Sequence, residues 1–273
     1  MTTPSQIGIS GVRLTAPFSL RGLVYVRDLL FELVVRDMKL RYKRSVLGIV
    51  WSLLNPLAQL VVFYFVFGLM LPMNITHYAS FLLTGVLSWN WFQSSLVFAT
   101  GAIVDNRELV RRPGFPVAVL PIVTVTAHLV HFVLALPILL LCVFLELGSV
   151  GVSMTALPIV IVLQFLLTLS LAYAVATFHV PFRDTQYLLG VLLQLLFFLT
   201  PIFYDASAIP ERYRWLLSLN PMTYLVDAYR AILVAGRFPD WRALCVLGVC
   251  SMGLLLLTYT LFMRARYRFV EDV

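Results

Sequence analysis

Few residues in this chain of 273 can do chemistry, and their spacing excludes most of it. A phosphate-cradling loop needs Gly-x-x-x-x-Gly-Lys-Ser/Thr, so that backbone amides and one lysine surround the phosphates. The only lysines are Lys39 and Lys43, preceded by Met38 and Tyr42 rather than by glycine. No HExxH pair and no G-x-S-x-G nucleophile turn occurs. Cys142, Cys245 and Cys250 fall inside apolar runs, with neither C-x-x-C nor metal-type spacing. His128 and His131 stand at i, i+3, but two histidines without carboxylates serve an interhelical contact more readily than a metal. Asp205, Glu211 and Asp227, in one long stretch outside the apolar runs, are the only real carboxylate candidates for acid–base work. No catalytic, cofactor or metal site is expected on this chain.

The remaining charge is arranged for contact. Residues 104–116 read VDNRELVRRPGFP, placing Arg107, Glu108, Arg111, Arg112 and Phe115 in one short stretch broken at Pro113 and Gly114. Such a cluster either fixes topology in a membrane or presents arginines from a short helix to a partner, and composition does not choose between them. Upstream, Lys39, Arg41, Lys43 and Arg44 form a second basic group. Arg183 and Asp184 are adjacent in a short polar turn, where a local salt bridge is the plainest role.

The elements that must position these residues are built for lipid. With 61% hydrophobic and 12% charged residues and a mean hydropathy of +0.93, there is too little polar surface for a soluble domain. The reading is an all-α integral membrane protein, one transmembrane domain over 1–273. An α-helix needs about 20 apolar residues to cross the hydrocarbon core. Six such runs fall at 46–71, 79–102, 117–146, 156–179, 186–203 and 243–263, the third long enough to tilt or, at Pro121 and Pro137, to kink. None carries a charge near its middle. A charge there costs about 2.5–3.5 kcal/mol on insertion scales and is kept for work, so proton-coupled transport and voltage sensing are poor readings.

Basic residues orient the runs. They precede the first, follow the last, and occupy the second and fourth loops at Arg107, Arg111, Arg112 and Arg183, whereas the other side holds only those of the final loop. Both termini are therefore expected in the cytoplasm. The net charge of +7 is explained by this bias and by anionic lipid, not by nucleic acid. Segment 20–43, plotted as a helix, puts Leu23, Val26, Leu30, Leu33 and Val34 on one face and Arg21, Asp28, Glu32, Arg36, Lys39 and Lys43 opposite, as expected of a helix lying along the interface. Stretch 204–241, broken at Pro210, Asn220-Pro221 and Gly236, predicts two short helices near 210–219 and 222–234, re-entrant or lying at the outer interface. Phe63, Tyr64 and Phe67 on the first run and Trp89, Trp91 and Phe92 on the second are lipid anchors or, on one face, the lining of a passage.

Five segments together resemble a known family: RDMKLRYKRSVLGIVWSLLNPL at 36–57, NRELVRRPGFPVAVLP at 106–121, FHVPFRDTQYLL at 178–189, LTPIFY at 199–204 and LNPMTYLVDAYRAIL at 219–233. The chain resembles the membrane subunits of ABC-2 type polysaccharide exporters, the permeases for O-antigen, capsule and teichoic acid. The resemblance implies two copies of the chain forming a pore, with ATP and magnesium held by two copies of a separate ATPase subunit. It also implies that Lys39, Arg41, Arg44, Arg107, Glu108, Arg111, Arg112 and Phe115 face that ATPase, and that Gly48, Trp51, Asn55 and Pro56 begin the first span. The cargo would be a lipid-linked glycan, its sugars stacking on the aromatic candidates, in a bacterial inner membrane. A lipid or drug exporter of the same superfamily is the nearer alternative. An enzyme of lipid-linked glycan assembly, acting through Asp205, Glu211 and Asp227, is the more distant one.

Overall fold

The computed structural model describes residues 20–42, 50–71, 75–148 and 151–272. Lys43, Arg44 and Gly48, and the start of the first apolar run, lie outside the described residues. The described residues are helical nearly throughout, with no strand among them. Helix α1 spans Leu20–Tyr42, α2 Trp51–Phe63, α3 Tyr78–Gly101, α4 Arg107–Val110 and α5 Val119–Leu147. There follow α6 at Leu157–His179, α7 at Thr185–Leu199, α8 at Arg214–Ser218, α9 at Pro221–Leu233 and α10 at Trp241–Asp272.

Among the described residues, three segments are long and apolar enough to cross a membrane: Val119–Leu147, Val152–His179 and Trp241–Tyr267. Leu54–Met70 and Thr185–Leu199 are apolar but shorter. The second run of the sequence, α3, is long enough at 24 residues but more polar, and its place in the bundle explains why. It packs against α2, α5, α6, α7 and α9, so protein rather than lipid surrounds it. Its Ser80, Thr84, Ser88, Ser95 and Thr100 are all buried. The Thr84 and Ser95 hydroxyls donate to the carbonyls of Ser80 and Trp91 one turn back, which satisfies polar groups that lipid would leave bare. From α6, the buried Gln164 donates to the Ser88 carbonyl at 2.8 Å.

Proline sets several boundaries. Pro56 lies inside α2, which widens into a π-helical stretch at Tyr64–Met70. Pro121 sits in the first turn of α5, where its missing N–H costs nothing, while Pro137 lies within the helix. The fifth apolar run stops short of its expected end at 203. Thr200, which precedes Pro201, is extended at φ −88°, ψ 130°, because the proline ring disfavours helical backbone in the residue before it. That leaves α7 with 15 residues, about 22 Å at 1.5 Å per residue.

The connections define two poles. At one, α1 lies against the start of α5, beside the 104–116 segment and near the α6–α7 turn. At the other, the Tyr78 hydroxyl donates to the Phe203 carbonyl at 2.9 Å, and Ser153 donates to the Ile232 carbonyl at 3.0 Å. The loops after α5 and α7 thereby meet α9 beside the start of α3. The two short helices expected in 204–241 are formed, as a 3-10 turn leading into α8 and then as α9.

Candidate functional site

At the first pole, the 104–116 segment folds as a 3-10 turn, the four-residue α4 and a tight return. Arg111 N and Arg112 N donate to the Arg107 and Leu109 carbonyls at 3.0 and 3.1 Å. Gly114 adopts φ +81°, a conformation that strains any residue with a Cβ. The turn splits the segment by side-chain fate. Val110 is buried, and Leu109 and Phe115 pack with Leu33, Val119 and Val123 in a small cluster between α1 and α5. Arg107, Glu108, Arg111 and Arg112 point outward, exposed, and form no side-chain hydrogen bond or ion pair among the described residues. Phe115, grouped in the sequence with the contact residues, is half-buried and roots the segment.

The apolar face of α1 is as the helical plot placed it at Val26, Leu30, Leu33 and Val34, while the Leu23 and Arg21 side chains lie outside the described residues. Leu33 is buried, with Val26, Leu29, Leu30 and Val34 around it. Arg36 departs from the plot. It is half-buried and its Nη2 donates to Asn106 Oδ1 at 2.8 Å, while Asn106 Nδ2 donates to the Ala102 carbonyl at 3.0 Å. A charged side chain reaches back across the apolar contact because a guanidinium on a long stem can find an acceptor there. Lys39 is exposed near the end of α1, and Arg41 falls in its last turn. Asn106 and Gly101, where a Cβ would collide with the Asp105 carboxylate, were not singled out in the sequence. Asn106 heads the NRELVRRPGF segment, and that was its only signal.

Arg183 and Asp184 are both exposed and form no ion pair with each other, so the expected salt bridge is absent. Backbone closes the turn instead: Thr185 N donates to the Phe182 carbonyl, and Tyr187 N and Leu188 N to the Asp184 carbonyl. Adjacent charges on a tight turn gain little from pairing in water.

The aromatic candidates separate into two groups. Trp89, Trp91 and Phe92 are fully buried. Trp91 stacks on Phe132 at 5.1 Å and Trp89 meets Phe197 edge-on at 5.8 Å. As folded in the single chain, these three rings face neighbouring helices rather than a passage, because α3 is the centre of the bundle. Phe63 and Phe67 remain half-buried, stacked with Phe203 at 6.0 and 4.9 Å, and Tyr64 is exposed.

The second pole is organised by an arginine that the sequence reading did not single out. Arg230 on α9 is 7% exposed. Its guanidinium donates to the Phe81 carbonyl at 3.3 Å, to the Pro201 carbonyl, and to the Ile202 carbonyl at 2.7 Å. Its Cζ lies 3.3 Å above the Phe81 ring, a cation–π contact in a desolvated place. Burial pulls the guanidinium down to about 9, so it is charged at neutral pH. The TPIFY turn has no strand to receive its carbonyls, and one five-donor fork supplies the partners. Close approach requires Gly85, where a Cβ would lie 3.0 Å from Arg230 Nη2 and 3.1 Å from the Ile202 oxygen. Asn220 makes the second tie, accepting from Met222 N at 3.0 Å as the N-cap of α9 and donating to Thr200 Oγ1 at 2.7 Å.

Around Arg230 opens a cavity of about 580 Å³ lined in part by Asp205, Tyr224, Asp227, Arg237, Phe238 and Asp240. Asp205 accepts from Ser207 N at 2.7 Å, and Ser207's hydrogen bonds hold its carboxyl below the usual range. Asp227 is open to the cavity, yet enough protein surrounds it that desolvation raises its carboxyl, against the pull of Arg230. The third carboxylate candidate, Glu211, lies apart and pairs with Arg214 at 3.6 Å.

The sequence that folds into this two-poled bundle matches, over residues 28–234, the family described as ABC-2 type transporter. The chain belongs to the ABC-2 type transporter family. Among the relatives of this ABC-2 chain is the O-antigen export system permease protein RfbA of Myxococcus xanthus, 36% identical across 93% of this chain and 98% of that protein. A permease of the same description from Klebsiella pneumoniae is 29% identical, covering 92% of this chain and 96% of its own length. The polysialic acid transport protein KpsM of Escherichia coli is 26% identical, with coverage of 84% and 90%. All three relatives are named for export or transport.

Proposed function

We propose that this chain is the permease subunit of an ATP-driven exporter that moves a lipid-linked polysaccharide of the O-antigen kind across a bacterial inner membrane. The observation that carries the reading is the 36% identity to an O-antigen export permease over nearly the full length of both chains. Two copies of the chain enclose the passage, and two ATPase subunits bind ATP and magnesium on the cytoplasmic side. Both termini and the 104–116 segment lie on that side, in keeping with the basic loops.

The arrangement of the first pole supports a coupling role. Arg107, Glu108, Arg111 and Arg112 are open to a partner, while Phe115, Leu33 and the Arg36–Asn106 hydrogen bond tie the segment to α1. A force applied at the arginines moves α1 and the ends of α3 and α5 as one unit. Export needs such a unit because packed helices shift as rigid bodies rather than stretch. The double substitution Arg111→Glu, Arg112→Glu tests the assignment. ATPase co-purification and surface glycan should both be lost while the permease still inserts; retention of both refutes the coupling role.

A further inference from the structure

The cavity at the second pole lies at the opposite end of the bundle from the coupling segment, and three separate stretches of chain build it, the last of them contributing two parts. These are residues 75–76 before α3, the loop after α7, one face of α9, and the α9–α10 connection. On α9, Tyr224, Asp227 and Ala231 line it at i, i+3 and i+7, while Leu225, Val226, Tyr229 and Ile232 are buried against the core. The helix is thus fixed by one face and presents the other. At about 580 Å³, the cavity falls within the usual range for small-molecule sites.

The polar groups differ in how far they are already used. Arg230 spends its donors on three carbonyls. Asp240 caps α10, accepting from Arg242 N and Ala243 N, and Asp205 accepts from Ser207 N. Asp227 and Arg237 make no side-chain hydrogen bond and no ion pair among the described residues, although both line the cavity. An open acceptor and an open donor therefore flank the rings of Tyr224 and Phe238, whose faces accept C–H groups. Hydroxyls that both donate and accept, carried on a ring with apolar C–H faces, are the chemistry of a sugar. The charge balance narrows the class. Among the described residues that line the cavity are three carboxylates, and the one cation there not turned into backbone carbonyls is Arg237.

Building on the export reading, we propose that this cavity is a binding subsite for a neutral, hydroxyl-rich segment of the exported glycan, and that it disfavours polyanionic glycans. Asp227 accepts from sugar hydroxyls, Arg237 donates to them, and the rings of Tyr224 and Phe238 pack on the sugar faces. Repulsion from the carboxylates opposes an acidic sugar in the same place.

The test uses the full chain in lipid nanodiscs, with binding read by saturation-transfer NMR. The probes are a neutral tetrasaccharide, mannotetraose, and an acidic one, the tetramer of sialic acid. Mannotetraose should bind weakly, and Asp227→Asn or Arg237→Ala should each weaken it about tenfold, a change of one charged contact. Ala235→Trp, which fills the cavity from an exposed position, should abolish binding, and the sialic acid tetramer should give no signal. The proposal is overturned if neither probe binds, if the acidic probe binds as well as the neutral one, or if Ala235→Trp and Asp227→Asn bind like the parent. Surface glycan in cells lacking the gene separates the two ideas. Undiminished glycan there sinks the export reading, whereas lost glycan with parental binding by the variants sinks only the subsite.

Discussion

Removing the Arg230 guanidinium leaves the Pro201 and Ile202 carbonyls without their donor, each buried unsatisfied acceptor costing about 1–3 kcal/mol, while the Phe81 carbonyl, inside α3, keeps its helical partner. Arg230→Ala should therefore lower the apparent melting temperature in detergent by several degrees or more. Arg230→Lys should recover only part of the loss, since an ammonium is a point charge and cannot span three acceptors as a fork. A lysine variant as stable as the parent would show that charge alone suffices. Asp205 gives a pH effect of known sign. Its carboxyl is lowered by hydrogen bonding to Ser207, so the stabilisation is present above its unfolded pKa, about 4, and is lost as pH falls through the lower folded value. Protection of Ser207 N from hydrogen exchange, taken against the intrinsic amide rate at each pH, should fall on acidification below about pH 4, and Asp205→Asn should remove that dependence. Asp205 is held by a residue two positions on, a local cap, whereas the role of Arg230 could not be read from its neighbours in sequence, because its partners lie 28 to 149 positions away.

At the scale of elements, α1 is the piece whose attachment was half legible. The apolar residues Val26, Leu30, Leu33 and Val34 recur at helical spacing, so one face had to be covered. Lipid and protein are equally good covers for an aliphatic face, and only packing shows that Val119, Val123 and Phe115 provide it. Leu33→Ala should loosen that contact; a fully buried leucine costs about 2–5 kcal/mol when truncated. Hydrogen–deuterium exchange in α1 should rise in this variant while exchange in α3 stays slow. Unchanged protection of α1 would mean that lipid, not α5, holds it. Element ends were legible where proline or glycine marks them, as at Thr200-Pro201 and at Gly148, which closes α5 with φ +72°. The passage role suggested for Trp89, Trp91 and Phe92 met the opposite limit. An aromatic side chain has the same composition signal in a core, against lipid or beside a passage.

For the whole molecule, the two poles must face opposite sides of a membrane if export proceeds as proposed. In a background with Cys142, Cys245 and Cys250 replaced by alanine, Arg112→Cys and Ser207→Cys place single thiols at exposed positions of the two ends. A membrane-impermeant thiol reagent added to intact cells should label the second and spare the first, with the pattern reversed in inside-out vesicles. Labelling of both from one side would overturn the orientation read from the basic loops.

Composition and patterning by themselves determined that the chain is helical and built for a membrane, which segments interrupt the spans, and where basic charge collects. Those properties follow from transfer energies and backbone sterics that act residue by residue. Tertiary structure decided which helix is central, which charges are open and which are consumed. Arg230 and Arg111 are the same residue type on non-spanning segments, yet one is locked into three carbonyls and the other is free of partners among the described residues. That difference depends on which backbone carbonyls the fold leaves unpaired nearby, a long-range fact that no local pattern encodes.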